Sequence, residues 1–192
     1  MTTRAARIFL IGFMGAGKST VGRRLAARTG WPYIDNDALI EAATGRSAPE
    51  IVATDGAEAL HEAELAAFEH GAGLPAPVIL GVAGFVVMDD AARARMQEAG
   101  RVIWLRARPE TLHRRVGTGR GRRPAATSLE WVRDVVDRRT PTYTAAADLI
   151  IDVDRLRAGP VADAILRELG IEPAGAGPER ITPAAAAPAR DA

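Results

Sequence analysis

The sequence predicts an α/β protein whose parallel sheet is covered by helices on both faces. Five short apolar runs alternate with longer stretches that carry a helical pattern of apolar residues. Continuous apolar strands separated by helices are typical of a parallel sheet buried on both sides. The chain has 192 residues, of which 47% are hydrophobic, and this is enough for one domain with a full core.

The predicted strands are the five apolar runs themselves. They cover residues 7–11, 33–34, 78–80, 102–105 and 149–151. Runs this short and this continuous are typical of strands without a solvent-facing side. The sheet is therefore expected to have five parallel strands.

Helical patterns fill the intervals between the strands. An amphipathic pattern follows Ser19 directly. Two capping boxes, Ser47-x-x-Glu50 and Asp55-x-x-Glu58, each open a helical stretch. The remaining predicted helices cover residues 38–43, 91–98, 110–116, 129–139 and 161–169, with Gly100 as a helix stop.

The segment between the first strand and the first helix, residues 12–19, matches the phosphate-binding pattern G-x-x-x-x-G-K-[ST] in full. Its glycines let backbone N–H groups turn towards phosphate oxygens, and the helix N-terminus adds a favourable dipole. Lys18 is the only lysine in a chain that otherwise uses arginine, which indicates a role that the planar guanidinium does not fill. We expect Lys18 to contact the β- and γ-phosphates and Ser19 to bind Mg²⁺. The predicted nucleotide contacts of this loop are Gly15, Ala16, Gly17, Lys18, Ser19 and Thr20.

Two carboxylates, Asp35 and Asp37, directly follow the second predicted strand. Ligands of such sheets bind beyond the carboxyl ends of the strands, so these carboxylates share a rim with the phosphate loop. There they could hold Mg²⁺ through water and orient an acceptor hydroxyl. Asp37 could also be the N-cap of the helix over 38–43, and the two roles are compatible.

Composition excludes several classes of protein. The net charge of +1 gives no argument for a nucleic-acid surface, and with no cysteine there is neither a disulfide framework nor a thiolate metal site. No stretch approaches the roughly 20 apolar residues that span a bilayer, so we expect a cytoplasmic protein without a membrane partner. The loop over residues 117–124 has the glycines and arginines of a phosphate-sensing lid; a solvated basic loop or an RNA-binding patch would share that composition.

From about residue 8 to residue 152, the chain resembles the shikimate kinase family. The motifs that carry the resemblance, in family order, are residues 12–20, Asp35-x-Asp37 with Ile40-Glu41, Thr54-Asp55-Gly56, Arg123-Pro124 and Arg139-x-Pro141-x-Tyr143. The resemblance implies a three-layer α/β/α fold of the P-loop kinase type with a five-stranded parallel sheet. It also implies ATP and Mg²⁺ as cofactors, and transfer of the γ-phosphate to the 3-hydroxyl of shikimate in aromatic amino-acid biosynthesis.

The resemblance assigns roles to individual residues. Asp37 would bind the substrate hydroxyls and take the proton, and Arg139 would hold the substrate carboxylate. Gly84 would contact the substrate as the middle glycine of the family's triple-glycine turn. Arg123 would close over the transferring phosphate from a lid over residues 117–128, while Arg115 would stack on adenine. Phosphoryl transfer depends on this kind of positioning and charge neutralisation.

The acceptor site departs from the family pattern at several positions. His61 stands where the family has a second carboxylate-binding arginine, and it is either a substrate contact or a surface histidine. Glu64, three residues on, would raise the pKa of His61 and keep it cationic. The family's triple-glycine turn reads Ala83-Gly84-Phe85, and the glutamate expected after Gly56 is Ala57.

Three hypotheses follow from the sequence. The first is a kinase that phosphorylates shikimate with a weakened acceptor site; the second is a kinase of the same lineage for another small hydroxylated metabolite. The third is a protein that binds nucleotide without transferring phosphate. In each case we expect a monomer with one domain over residues 1–172 and a disordered Ala/Pro-rich tail over 173–192.

Overall fold

The structure, a computed structural model, describes residues 6–117 and 128–174. All but the two end residues of the predicted lid, and with them Arg123, lie outside these ranges, as does the predicted tail from residue 175 onwards. Five parallel strands form one sheet in the order β2-β3-β1-β4-β5. The strands are β1 Arg7–Ile11, β2 Tyr33–Asp35, β3 Val78–Gly81, β4 Arg101–Arg106 and β5 Leu149–Asp152. The five predicted strands are thereby confirmed.

Seven helices lie between and after these strands in the described ranges. They are α1 Lys18–Thr29, α2 Asn36–Thr44, α3 Ala48–Gly73, α4 Asp90–Ala99, α5 Pro109–Gly117, α6 Leu129–Ala146 and α7 Ala158–Leu169. A short 3-10 helix, Val86–Met88, precedes α4.

The helices pack on both faces of the sheet because alternate side chains of β1 point in opposite directions. Ile8 and Leu10 pack with apolar residues of α1 and α7, whereas Phe9 and Ile11 pack with those of α3 and α4. All five residues of β1 are buried. This arrangement confirms the predicted three-layer α/β/α fold and places the loop after β1 at the middle of the sheet.

Helix α3 combines the two predicted helical stretches into one kinked element. The backbone N–H of Ser47 donates to Glu50 Oε2 at 2.7 Å, which confirms the first capping box. At Gly56 the backbone is non-helical, with φ 90° and ψ 178°, so the predicted second start coincides with a kink. The carboxylate of Asp55 lies 2.7 Å from Arg46 Nη1 and so ties the kink to the loop after α2.

Helix α6 is longer than the sequence predicts. The predicted helix covers residues 129–139, two positions short of Pro141. A proline within a helix lacks an N–H donor and crowds the preceding turn. In the structure α6 continues through Pro141 to Ala146. Tyr143 and Ala146 are buried against the sheet, and their burial outweighs the local cost of the proline.

No helix among the described residues combines the length and the apolar character that crossing a membrane requires.

Candidate active site

A cavity of about 830 Å³ opens at the carboxyl ends of the central strands. The phosphate loop and the start of α1 form one part of its wall. The Asp35–Asp37 segment, the segment after β3 and Arg139 of α6 form another. A volume of this size is typical of sites for small molecules and cofactors. Both predicted half-sites therefore lie on one continuous space.

The phosphate loop is shaped by a glycine at the start of α1. Gly17 is the N-cap and has φ 96°, a conformation that residues with a Cβ rarely adopt. The first backbone N–H groups of α1 thus point into the cavity entrance together with the positive end of the helix dipole. Lys18 Nζ donates to the carbonyl oxygen of Gly12 at 2.8 Å, so its ammonium folds over the loop.

Arg115 lies at the nucleotide end of the cavity, where the resemblance places an adenine contact. Its guanidinium donates to the carbonyl oxygens of Gly15, at 3.3 Å, and Val153, at 2.8 Å. These bonds join α5 to the phosphate loop and to the segment after β5. Apolar Val153 and Leu156 line the same end of the cavity. A flat guanidinium with apolar neighbours is suited to stacking on a purine, and this role for Arg115 stays a prediction.

Ser19 and Asp35 are in direct contact. Ser19 Oγ donates to Asp35 Oδ2 at 2.6 Å, and both residues line the cavity. A hydroxyl beside a carboxylate at the phosphate loop is an oxygen donor set that suits Mg²⁺. Within the described ranges no three His, Cys, Asp or Glu side chains gather into a metal cage. In proteins, Mg²⁺ usually keeps several waters and takes further ligands from substrate phosphates.

Asp37 lies in the first turn of α2 and lines the cavity. The alternative prediction, that Asp37 is the N-cap of this helix, is wrong. The helix begins two residues earlier, at Asn36, and its N-cap is Asp35, whose Oδ1 accepts from the backbone N–H of Asp37 at 3.4 Å. The carboxylate of Asp37 is therefore not required for capping.

Arg139 and Gly84 meet on the acceptor side. Arg139 Nη1 lies 2.8 Å from the point where a Cβ on residue 84 would stand, so a larger residue there would displace the guanidinium. Tyr143, one helical turn beyond Arg139, donates its hydroxyl to the carbonyl oxygen of Gly84 at 3.0 Å. Burial raises the pKa of Tyr143, so its hydroxyl stays protonated and remains a donor.

His61 packs against a residue of the cavity wall, whereas the other predicted substrate contacts line the cavity themselves. Its ring stacks on Phe85 with a centroid separation of 3.6 Å and an interplanar angle of 2°. Phe85 lines the cavity, and among the described residues His61 is not part of that lining. The two family positions that depart most strongly thus pack against each other. A direct contact between His61 and the acceptor stays a prediction.

Some contacts around the acceptor side were not predicted. The predicted effect of Glu64 on the charge of His61 stays a prediction. Glu64 is buried and lines the acceptor side, and its backbone carbonyl accepts from the buried side-chain amide of Asn36 at 3.2 Å. Tyr143 was visible in the sequence only as part of a motif, although its spacing of four from Arg139 places both on one helix face. Nothing in the sequence indicates that Glu64 and Asn36, 28 positions apart, touch. The described ranges do not include Arg123, so its lid role stays a prediction.

A phosphate loop and an acceptor wall on one cavity, at the top of a five-stranded parallel sheet, define a P-loop kinase for a small molecule. Known proteins agree with this class. A family model described as shikimate kinase matches residues 14–170. The shikimate kinase of Symbiobacterium thermophilum is 37% identical over 166 residues, which are 84% of this chain and 95% of that protein. The shikimate kinase of Moorella thermoacetica is 38% identical over 164 residues, again 84% of this chain and 93% of that protein.

A solved structure gives the same result. The shikimate kinase of Acinetobacter baumannii in complex with shikimate matches with a TM-score of 0.77 and 27% identity, over 85% of this chain and 92% of that one. The protein belongs to the shikimate kinase family, and it is an ATP-dependent small-molecule kinase. The resemblance drawn from the motifs is confirmed.

Proposed function

We propose that the protein transfers the γ-phosphoryl group of ATP to the 3-hydroxyl of shikimate in the presence of Mg²⁺. The observation that carries this proposal is the shared cavity, which the phosphate loop and Asp37, Gly84 and Arg139 line together. Phosphoryl transfer requires donor and acceptor in one space from which water is excluded, because positioning and charge neutralisation supply most of the rate. The relatives named shikimate kinase support the choice of acceptor.

The nucleotide half of the site binds and neutralises the phosphates. The backbone N–H groups of the loop and the ammonium of Lys18 would hold the β- and γ-phosphates. Ser19 would bind Mg²⁺ through its hydroxyl, and Asp35 would orient the metal's water ligands. When bound, Mg²⁺ would neutralise charge that develops on the phosphate oxygens.

The acceptor half orients one hydroxyl towards the γ-phosphorus. Asp37 would accept a hydrogen bond from that hydroxyl and take its proton as the new oxygen–phosphorus bond forms. The bond between the γ-phosphorus and the bridging oxygen breaks, and ADP leaves with the electron pair. Arg139, whose guanidinium lies against Gly84, would pair with the substrate carboxylate.

A coupled assay of ADP release tests this proposal. The purified protein is given ATP, Mg²⁺ and one of shikimate, quinate or gluconate at millimolar concentration. We expect ADP release that depends on shikimate and exceeds the rate with the other two compounds. The absence of ADP release with shikimate would contradict the proposal.

A second candidate function is phosphorylation of another small hydroxylated metabolite. The observation that favours it is the stack of His61 on Phe85, since an aromatic surface stands where the family pattern has glycine and a second arginine. Turnover of quinate or gluconate in the same assay, faster than turnover of shikimate, would establish it. Tight ATP binding with no turnover of any compound would instead support the third hypothesis, a nucleotide-binding protein without transfer.

The monomeric state, the cytoplasmic location and the single domain over residues 1–172 stay predictions. Size-exclusion chromatography with light scattering measures the first, and we expect the mass of one 20.3 kDa chain.

A further inference from the structure

We propose that Tyr33 is a positioning residue of the nucleotide site, which holds the carboxylate of Asp35 in the orientation that the Mg²⁺-binding hydroxyl of Ser19 requires. This inference rests on the Mg²⁺ role given to Ser19 and Asp35 above. It does not depend on which acceptor the enzyme phosphorylates.

The carboxylate of Asp35 is the meeting point of three donors. Its Oδ2 accepts from Ser19 Oγ at 2.6 Å and from Tyr33 Oη at 2.8 Å. Its Oδ1 accepts the longer bond from the backbone N–H of Asp37. Both strong bonds therefore fall on the same oxygen, and the one from Tyr33 approaches from the sheet. Because the Asp37 bond is long, at 3.4 Å, Tyr33 is the main restraint on the rotation of the carboxylate apart from Ser19 itself.

Two glycines make the room that Tyr33 occupies. A Cβ on Gly22 of α1 would stand 2.1 Å from the Tyr33 ring, and a Cβ on Gly81 of β3 would stand 2.4 Å from its hydroxyl oxygen. Gly81 is also the register partner of Asp35 in the sheet. The ring is thus confined between a helix and a neighbouring strand, and its hydroxyl has a fixed direction. A rigid donor is what a positioning role needs, because a mobile one would not fix its partner.

Loss of the Tyr33 hydroxyl should reduce the contribution of Mg²⁺ to nucleotide affinity. Ser19 is the direct ligand, and Asp35 orients it by accepting its proton. Without the Tyr33 hydroxyl, Asp35 can rotate away and the hydroxyl of Ser19 loses its direction. Outer partners of metal ligands typically change metal affinity by 10- to 100-fold when they are removed. Since Tyr33 acts through Asp35, we expect the lower end of this range, about tenfold.

Tyr33→Phe tests the proposal, and Tyr143→Phe is its matched control. Each variant removes one phenolic hydroxyl, the first from the nucleotide half and the second from the acceptor half. ADP binding is measured by calorimetry with Mg²⁺ and with EDTA, in the absence of any acceptor. The ratio of the two dissociation constants is the gain in affinity from the metal. For Tyr33→Phe we expect this gain to fall about tenfold while binding in EDTA is unchanged. For Tyr143→Phe we expect the gain to equal that of the native protein.

Two results would overturn the proposal. One is that Mg²⁺ increases the ADP affinity of Tyr33→Phe as much as it increases that of the native protein. The other is an equal loss of ADP affinity with and without metal, which would mean that Tyr33 stabilises the phosphate loop in general. Since no acceptor is present, a failure here is distinct from a failure of the proposed kinase activity.

A double-mutant cycle keeps the test decisive if Tyr33→Phe is also less stable. Asp35→Asn keeps the shape of the side chain but removes its charge, and should reduce the metal gain by itself. If Tyr33 acts through Asp35, Mg²⁺ should increase the ADP affinity of the double variant Tyr33→Phe/Asp35→Asn as much as that of Asp35→Asn alone. Additive losses would overturn the proposal even in destabilised variants, because the metal gain is a ratio measured within one variant.

Discussion

Asp35 and Asp37 are only two residues apart, yet the fold gives their carboxylates separate surroundings. Asp35 accepts hydrogen bonds from Ser19, Tyr33 and the backbone of α2, whereas Asp37 lies in the first turn of α2 and faces the cavity. The N-cap of α2 is Asp35 and not Asp37. The two carboxylates differ in their surroundings because α2 begins at Asn36, directly after Asp35.

The Asp37→Ala variant should therefore lose phosphate transfer and keep nucleotide binding. Because Asp37 does not cap α2, its removal should leave the helix start intact. The acceptor hydroxyl would lose the proton acceptor that we propose for it. Loss of a group that transfers a proton typically costs about 10²–10⁴-fold in rate. Turnover is measured with the coupled assay, and ADP affinity by calorimetry. An equal loss of ADP affinity would show that Asp37 supports the nucleotide half instead.

The His61→Arg variant should bind a carboxylated acceptor more tightly. His61 stacks on Phe85 behind the cavity wall, and the longer arginine side chain can lie over the same ring and extend its guanidinium past the ring edge. A charged hydrogen bond to the carboxylate contributes about 1.5–3 kcal/mol, so we expect KM for shikimate to fall at least tenfold.

The matched control for this variant is His70→Arg, which makes the same exchange at an exposed position of the same helix. It should leave KM unchanged. An unchanged KM in His61→Arg as well would contradict the placement of His61 beside the acceptor.

At the level of single elements, the kink of α3 depends on one glycine. Gly56 has φ 90° and ψ 178°, a region that is almost restricted to glycine. Gly56→Ala should lower the free energy of unfolding by about 1–3 kcal/mol, and the melting temperature by several degrees. Gly73→Ala, at the end of the same helix, is the control, since the position lacks a positive φ and has open space around it. Equal melting temperatures for the two variants would argue against strain at the kink.

Strands and most helices could be predicted because each is marked by local residues. The apolar runs gave all five strands, and Ser47 with Glu50 marked the start of α3. The predicted end of α6 was too early. Helix α6 continues through Pro141, an ordinary helix breaker, because the burial of Tyr143 is a tertiary effect that outweighs it. The residues around Pro141 do not indicate that burial elsewhere in the helix offsets the cost of the proline.

The candidate site divides in the same way. The phosphate loop is one continuous motif, so its residues could be read from the sequence and lie together on the cavity. The acceptor side is assembled from α2, α3, the segment after β3 and α6, which lie far apart in the chain. The stack of His61 on Phe85 and the contact of Asn36 with Glu64 exist only after folding. No spacing rule connects such pairs.

For the molecule as a whole, stability should fall in acid. Hydrogen bonds from Ser47 lower the pKa of Glu50, and those from Arg46, Arg133 and Arg106 lower the pKa values of Asp55, Glu110 and Asp152, respectively. A carboxyl with a lower pKa in the folded state binds fewer protons than in the unfolded state. Its stabilising contribution is complete above the ordinary values of 4.5 for Glu and 3.8 for Asp, and is lost as pH falls through the folded-state values.

Melting temperatures at pH 6 and pH 3 (about one unit or more on either side of those values) measure this loss. We expect a lower value in acid. We also expect a smaller difference in Asp152→Asn, which removes one titrating carboxyl from an exposed ion pair. Equal melting temperatures at the two pH values would contradict the expectation.

The place of Tyr33 between Gly22 and Gly81 also restricts how this sequence can change. Any Cβ on Gly22 would overlap the ring carbons, whereas a Cβ on Gly81 would overlap mainly the hydroxyl. Alanine at position 81 would thus require a large displacement of tyrosine at position 33, but only a small one of phenylalanine, whose nearest ring carbon would lie 3.2 Å away. Alanine at position 22 would displace the ring itself, so it conflicts with either aromatic residue at position 33. The two glycines therefore restrict position 33 in different ways: Gly22 makes room for a ring, and Gly81 makes room for its hydroxyl.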